Sequence, residues 1–119
     1  MKLAAFISYT CLLAYLSLAP SSGDGMPLWD KAMHAPTYAS YTVLGVWLCQ
    51  TRAQIAWLLG YVFCFGIAME FGQSLVPGRD TSVMDQVANA VGIVIGGWLA
   101  VRLHKPVART TPATEITGD

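Results

Sequence analysis

Glu70 stands in the run Gly66-Ile67-Ala68-Met69-Glu70-Phe71-Gly72, a carboxylate with apolar neighbours on both sides. A charge in such surroundings is costly unless paired or protonated, which makes Glu70 a candidate for function. Gln73 follows three residues later on the same helix face and sets an amide beside the carboxylate. Asp85, Asn89 and Gly92 also recur at helical spacing, so carboxylate, amide and a small residue share one stripe. Asp30, His34 and Tyr38 do the same at i, i+4 and i+8, with Lys31 beside Asp30. Arg79 lies in a Pro-Gly turn ahead of the segment that carries Asp85. A carboxylate or an imidazole in this set is suited to general-base work, giving Asp30, His34, Glu70 and Asp85 as catalytic candidates. Arg79, Gln73, Asn89, Lys31 and Tyr38 are candidates for holding a substrate. The Arg79 guanidinium suits a phosphate or carboxylate because its planar fork makes two parallel hydrogen bonds.

Each residue also has a plainer role. Glu70 and Gln73 could clamp one helix to another. Ser82 to Asp85 matches the capping pattern [ST]-x-x-[DE], and Lys31 and Asp30 could form a surface pair. Arg79 could neutralise Glu70 or Asp85 within the chain. Gly92 and Gly96 form G-x-x-x-G, read as close helix packing. One His with two or three carboxylates could hold a divalent ion. No zinc-type spacing appears, since His104 lies on the opposite side and Cys11, Cys49 and Cys64 show no C-x-x-C; no metal and no cofactor are expected. Neither a nucleophile elbow nor a phosphate-binding glycine loop is visible.

The elements that must position these residues follow from composition. Of 119 residues, 55% are hydrophobic and 12% charged, with 7 Lys plus Arg balancing 7 Asp plus Glu. Soluble domains carry about 25% charged residues, so this chain lacks the means to solvate a globular surface. Neutral balance without a basic run argues against nucleic acid as a partner, and the high hydrophobicity argues against disorder. The expected architecture is all-α, a polytopic bundle of about four transmembrane helices with both termini cytoplasmic.

Residues 1–19 give the first span, an uncharged run from Leu3 to Ala19 at the lower limit of the roughly 17 to 25 residues that cross a bilayer. The same run can be read as a signal peptide, with Lys2 ahead of it and Ser17-Leu18-Ala19 as a cleavage site. Residues 20–104 hold three further spans: Ala35 to Cys49, Ala53 to Val76, and Ser82 to Leu103. Pro36 either sets the start of the second or bends it. The Thr, Ser and Tyr content of that span suggests a face toward other helices. Residues 105–119 form a Thr- and Pro-rich tail expected to be disordered in the cytoplasm.

Orientation is set by Lys2, Arg52, Arg102, Lys105 and Arg109 on one side against Lys31 and Arg79 on the other. Asp24, Asp30, Glu70, Asp80 and Asp85 all fall in or near the two outer connections, a segregation the positive-inside rule does not require. A shared outer site explains it. The expected partners are membrane lipid and an anionic lipid-linked or peptidoglycan-precursor ligand, with self-association left open.

Read in order, D-K-x-x-H, E-x-x-Q-x-x-x-P-G-R and D-x-x-x-N-x-x-G, from Asp30 to Gly92, resemble the VanZ-like family of small membrane proteins. The resemblance covers residues 30–97. One departure is Pro36, where the family has an aromatic or aliphatic residue. The resemblance implies an integral protein of the cell membrane with an outward polar site. It also implies a link to tolerance of the glycopeptide antibiotic teicoplanin, and no settled reaction. A membrane enzyme acting on a lipid-linked or peptidoglycan-related substrate and a purely structural subunit are the alternatives.

Overall fold

The computed structural model of the protein describes residues 1–20, 27–79 and 81–103, the side chains of residues 27–31 excepted. The described residues form four helices and no strand: α1 (Lys2–Leu18), α2 (Pro27–Val46), α3 (Arg52–Ser74) and α4 (Val83–Leu103). Short connections make neighbours antiparallel. The end of α1, the start of α2, the end of α3 and the start of α4 therefore share one end of the bundle.

Local sequence sets the boundaries. α3 opens on a capping box that sequence reading overlooked: Gln54 N donates to Thr51 Oγ1 at 3.2 Å, and Gln54 Oε1 accepts from Thr51 N at 3.1 Å. It closes at Ser74, two residues before the expected end. The following turn bonds Arg79 N to Val76 O at 3.2 Å, with Gly78 at φ 79°. Proline second and a left-handed glycine third define a type II turn, which aims Arg79 back over the bundle end. α2 departs further from expectation. It begins at Pro27 rather than near Ala35 and continues through Pro36, whose ring nitrogen has no hydrogen to give the Ala32 carbonyl. Asp30, His34 and Tyr38 thus belong to one helix.

The closest packing joins α2 to α4. A Cβ on Gly92 would collide with the Ala35 carbonyl, and one on Gly96 with the Ala39 carbonyl. The G-x-x-x-G stripe is the groove into which the α2 backbone settles. Tyr41, fully buried, is the hub for α1 and α3. Its ring stacks on Phe6 (centroids 5.0 Å) and Tyr9 (5.7 Å) and meets Phe65 (5.7 Å), while its hydroxyl lies 2.8 Å from Thr10 Oγ1. Tyr9 also donates to the Thr37 carbonyl at 3.3 Å and pairs with Ser40 at 2.8 Å. The hydroxyl-rich face of α2 therefore meets other helices.

Of the four expected spans, α3 and α4 are long and apolar enough to cross a membrane. α1 stops at 17 residues, and α2, with 20, falls short in apolarity because Asp30, Lys31 and His34 lie within it. Four spans thus reduce to two by length and composition. Only 11% of the apolar stretch of α3 and 33% of that of α4 is buried, unlike the core helices of a soluble protein. Trp57, Phe71 and Val94 point outward while Thr42, Gln73, Asp85 and Asn89 are buried. Buried polar residues thus sit beside a small apolar core of Leu13, Tyr41, Val62 and Ile93, while many large apolar side chains face outward.

Candidate functional site

Three helices converge where the bundle gathers the end of α3 with the starts of α2 and α4. α2 contributes His34, α3 contributes Glu70, and α4 contributes Asp85, and one donor atom from each lies within 4.8 Å of the others. Asp85 is 3% exposed, while His34 and Glu70 are half-buried. Two carboxylates at that separation repel by about 3 kcal/mol at an effective dielectric of 20, so the fold holds together charges that would separate if free.

Each group is held by neighbours. His34 Nδ1 lies 2.9 Å from Asn89 Oδ1, and Asn89 Nδ2 donates to Gln86 Oε1 at 3.4 Å. With the amide nitrogen so engaged, Asn89 turns its oxygen to the ring, an arrangement that favours the tautomer carrying the proton on Nδ1. The Glu70 carboxylate accepts the backbone N–H of Ser82. Ser82 caps α4 as expected, its Oγ accepting from Met84 N at 3.2 Å. The Ser82 N–H that a capping box would direct to Asp85 is bonded by a carboxylate from α3 instead. Among the described residues, Asp85 Oδ1 and Glu70 Oε2 are buried with no hydrogen-bond partner.

Beside this cluster lies a groove of about 280 Å³, whose lining includes His34, Tyr38, Gln73 and Arg79 together with Leu13, Leu16 and Met33. Gln73 is buried in it and Tyr38 is 3% exposed. Arg79 does not form the simple pair with Glu70 or Asp85 that the sequence allowed. Its Nη2 donates to the Ser17 carbonyl at 2.8 Å and to that of Leu16 at 3.4 Å, satisfying the open C-terminus of α1. Its Nε is buried without a partner among the described residues.

Of the residues singled out in sequence, His34, Glu70, Asp85 and Asn89 come together, with Tyr38, Gln73 and Arg79 lining the adjoining groove. The backbones of Asp30 and Lys31 lie on α2, but their side chains fall outside the described residues, as do Asp24, Asp80, His104 and the 105–119 tail. Gln86 was missed. It touches Asn89 and has a buried Nε2 without a partner among the described residues, and a Cβ on Gly66 would lie 3.3 Å from its Oε1. Its only sequence signal was its place inside the D-x-x-x-N stripe. The His-with-carboxylates combination that the sequence allowed is assembled from three helices, a convergence that zinc-type spacing within one segment does not report.

No family model matches the chain, and no solved structure matches it. A curated protein of Schizosaccharomyces pombe, "Uncharacterized protein C11E3.10", is 30% identical over 106 residues. The alignment takes in 87% of this chain and 64% of that protein, so the chain spans a little under two thirds of its relative's length.

Proposed function

We propose that the chain is a VanZ-like, membrane-embedded helical protein whose polar end site receives the anionic headgroup of a lipid or lipid-linked molecule. The observation that carries this reading is the groove beside the cluster. Arg79, His34 and Gln73 line the same groove as Leu13, Leu16 and Met33, a pairing that suits an amphiphile with a charged head and an apolar tail. The large apolar side chains that face outward support a lipid surround. In this reading α1 and α2 enter the bilayer with α3 and α4, their polar atoms satisfied by neighbouring helices. The D-K-x-x-H, E-x-x-Q-x-x-x-P-G-R and D-x-x-x-N-x-x-G strings support the VanZ-like assignment. A relative in a fungus, whose wall holds no peptidoglycan, favours a headgroup common to membranes over a peptidoglycan precursor.

Lipid retention tests the reading. Purified from mixed bilayers, the wild-type chain should carry anionic lipid in excess of its bilayer fraction, and Arg79→Ala should lose the excess. An unchanged lipid ratio in the variant would count against it. The narrower link to teicoplanin is tested by susceptibility of a sensitive Gram-positive host expressing wild type or Arg79→Ala at matched abundance.

A catalytic reading is favoured by one feature, the orientation of His34 by Asn89 beside two carboxylates. On that reading Glu70→Gln abolishes turnover of a lipid-linked substrate while leaving lipid retention intact.

A further inference from the structure

We propose that His34, Glu70 and Asp85 bind a divalent transition-metal ion. The donor set is one imidazole and two carboxylates from three different helices, within 4.8 Å of one another. Nitrogen and oxygen donors of this kind suit zinc, manganese or ferrous iron.

A second observation points to a missing positive partner. Asp85 is 3% exposed, and its Oδ1 lies in the interior with no hydrogen-bond donor among the described residues. Glu70 Oε2 is in the same condition. Buried carboxylate oxygens are costly to leave unmatched, and two in one cluster are matched at once by a single cation. Arg79 spends Nη2 on the α1 carbonyls.

His34 is already set as a ligand. Its Nδ1 lies 2.9 Å from Asn89 Oδ1, and Asn89 is braced by Gln86, so a neutral ring with its proton on Nδ1 has the Nε2 lone pair to offer an ion. Ligating histidines are held this way, with the second nitrogen bonded to an outer partner. Bonds of about 2.1 Å require donors about 3 to 3.5 Å apart. The widest separation in the cluster therefore closes by about 1 to 2 Å, a movement that rotation of the Glu70 side chain can supply. Three protein donors leave coordination sites for water or a phosphate oxygen.

The cation site does not depend on the headgroup reading, because metal content is measured without any lipid ligand. The full chain, purified in detergent and stripped with chelator, is titrated with Zn²⁺ and with Mn²⁺, with Mg²⁺ and Ca²⁺ as comparison. Elemental analysis and thermal unfolding are the readouts. The expected result is one tightly held Zn²⁺ or Mn²⁺ per chain and a higher melting temperature. Asp85→Asn and Glu70→Gln, close in shape to the native residues, should each lose the bound ion and the shift. Asn89→Ala should weaken affinity about 10- to 100-fold through the ring it orients. Should a variant not fold, wild type decides alone: chelator should lower its melting temperature and Zn²⁺ or Mn²⁺ restore it, with zinc-edge absorption showing one imidazole. Absence of a saturable site, no response to chelator, or equal binding by folded Asp85→Asn would overturn the proposal.

Discussion

Arg79 and Gly78 show how one turn serves the site. Gly78 takes φ 79°, a left-handed conformation that costs a side-chain-bearing residue about 1 to 2 kcal/mol. Gly78→Ala should therefore lower unfolding stability by about 1 kcal/mol in a detergent melt and loosen Arg79. The guanidinium bonds the last carbonyls of α1, so Arg79→Lys, which keeps the charge and loses the fork, should weaken anionic lipid retention. Unaltered retention with Lys would show that charge alone suffices. Glu70, Asp85 and Asn89 were legible because a charged or amide group in an apolar helix needs a reason. Gln86 and Tyr41 were not, since a polar or aromatic residue on a helix becomes notable only when its neighbours are known.

Among the elements, the α2 to α4 contact decides whether the site exists. Gly92 meets the Ala35 carbonyl, one residue beyond His34, and lies three residues after Asn89. Gly92→Ala must push α2 away against rigid backbone, costing about 1 to 3 kcal/mol. It should also lengthen the His34 to Asn89 bond and reduce ligand retention. Gly60→Ala is the control, because a Cβ there meets nothing within 4 Å. Its melting temperature should hold or rise, because Ala is favoured over Gly in an open helix interior by about 0.5 to 1 kcal/mol, and a loss equal to that of Gly92→Ala would refute the packing argument. Sequence reading found the G-x-x-x-G stripe but began α2 too late, because Pro36 looked like a boundary. Proline instead sits inside the helix, where packing on α4 and the hydroxyl contacts with α1 offset its missing hydrogen bond.

For the whole molecule, the outward apolar surface and inward polar residues predict membrane residence. The chain should stay with the membrane fraction under alkaline carbonate, and recovery in the supernatant would refute that. The basic residues Lys2, Arg52 and Arg102 lie at the end of the bundle opposite the cluster, which predicts that the site faces outward. In a chain with its three cysteines replaced by Ala, Thr81→Cys should react with an impermeant maleimide in intact cells. Gln50→Cys should react only after permeabilisation. The reverse pattern would place the site on the cytoplasmic side. The sequence by itself determined an all-helical chain, its polar stripes and the small-residue seam, since these follow from periodicity and composition within single segments. Only the tertiary structure decided that His34, Glu70 and Asp85 meet, that Asn89 orients the ring and that Arg79 closes α1. Convergence of side chains from separate helices depends on helix pairing and rotation, which distant backbone contacts such as Gly92 on Ala35 fix and local spacing does not encode.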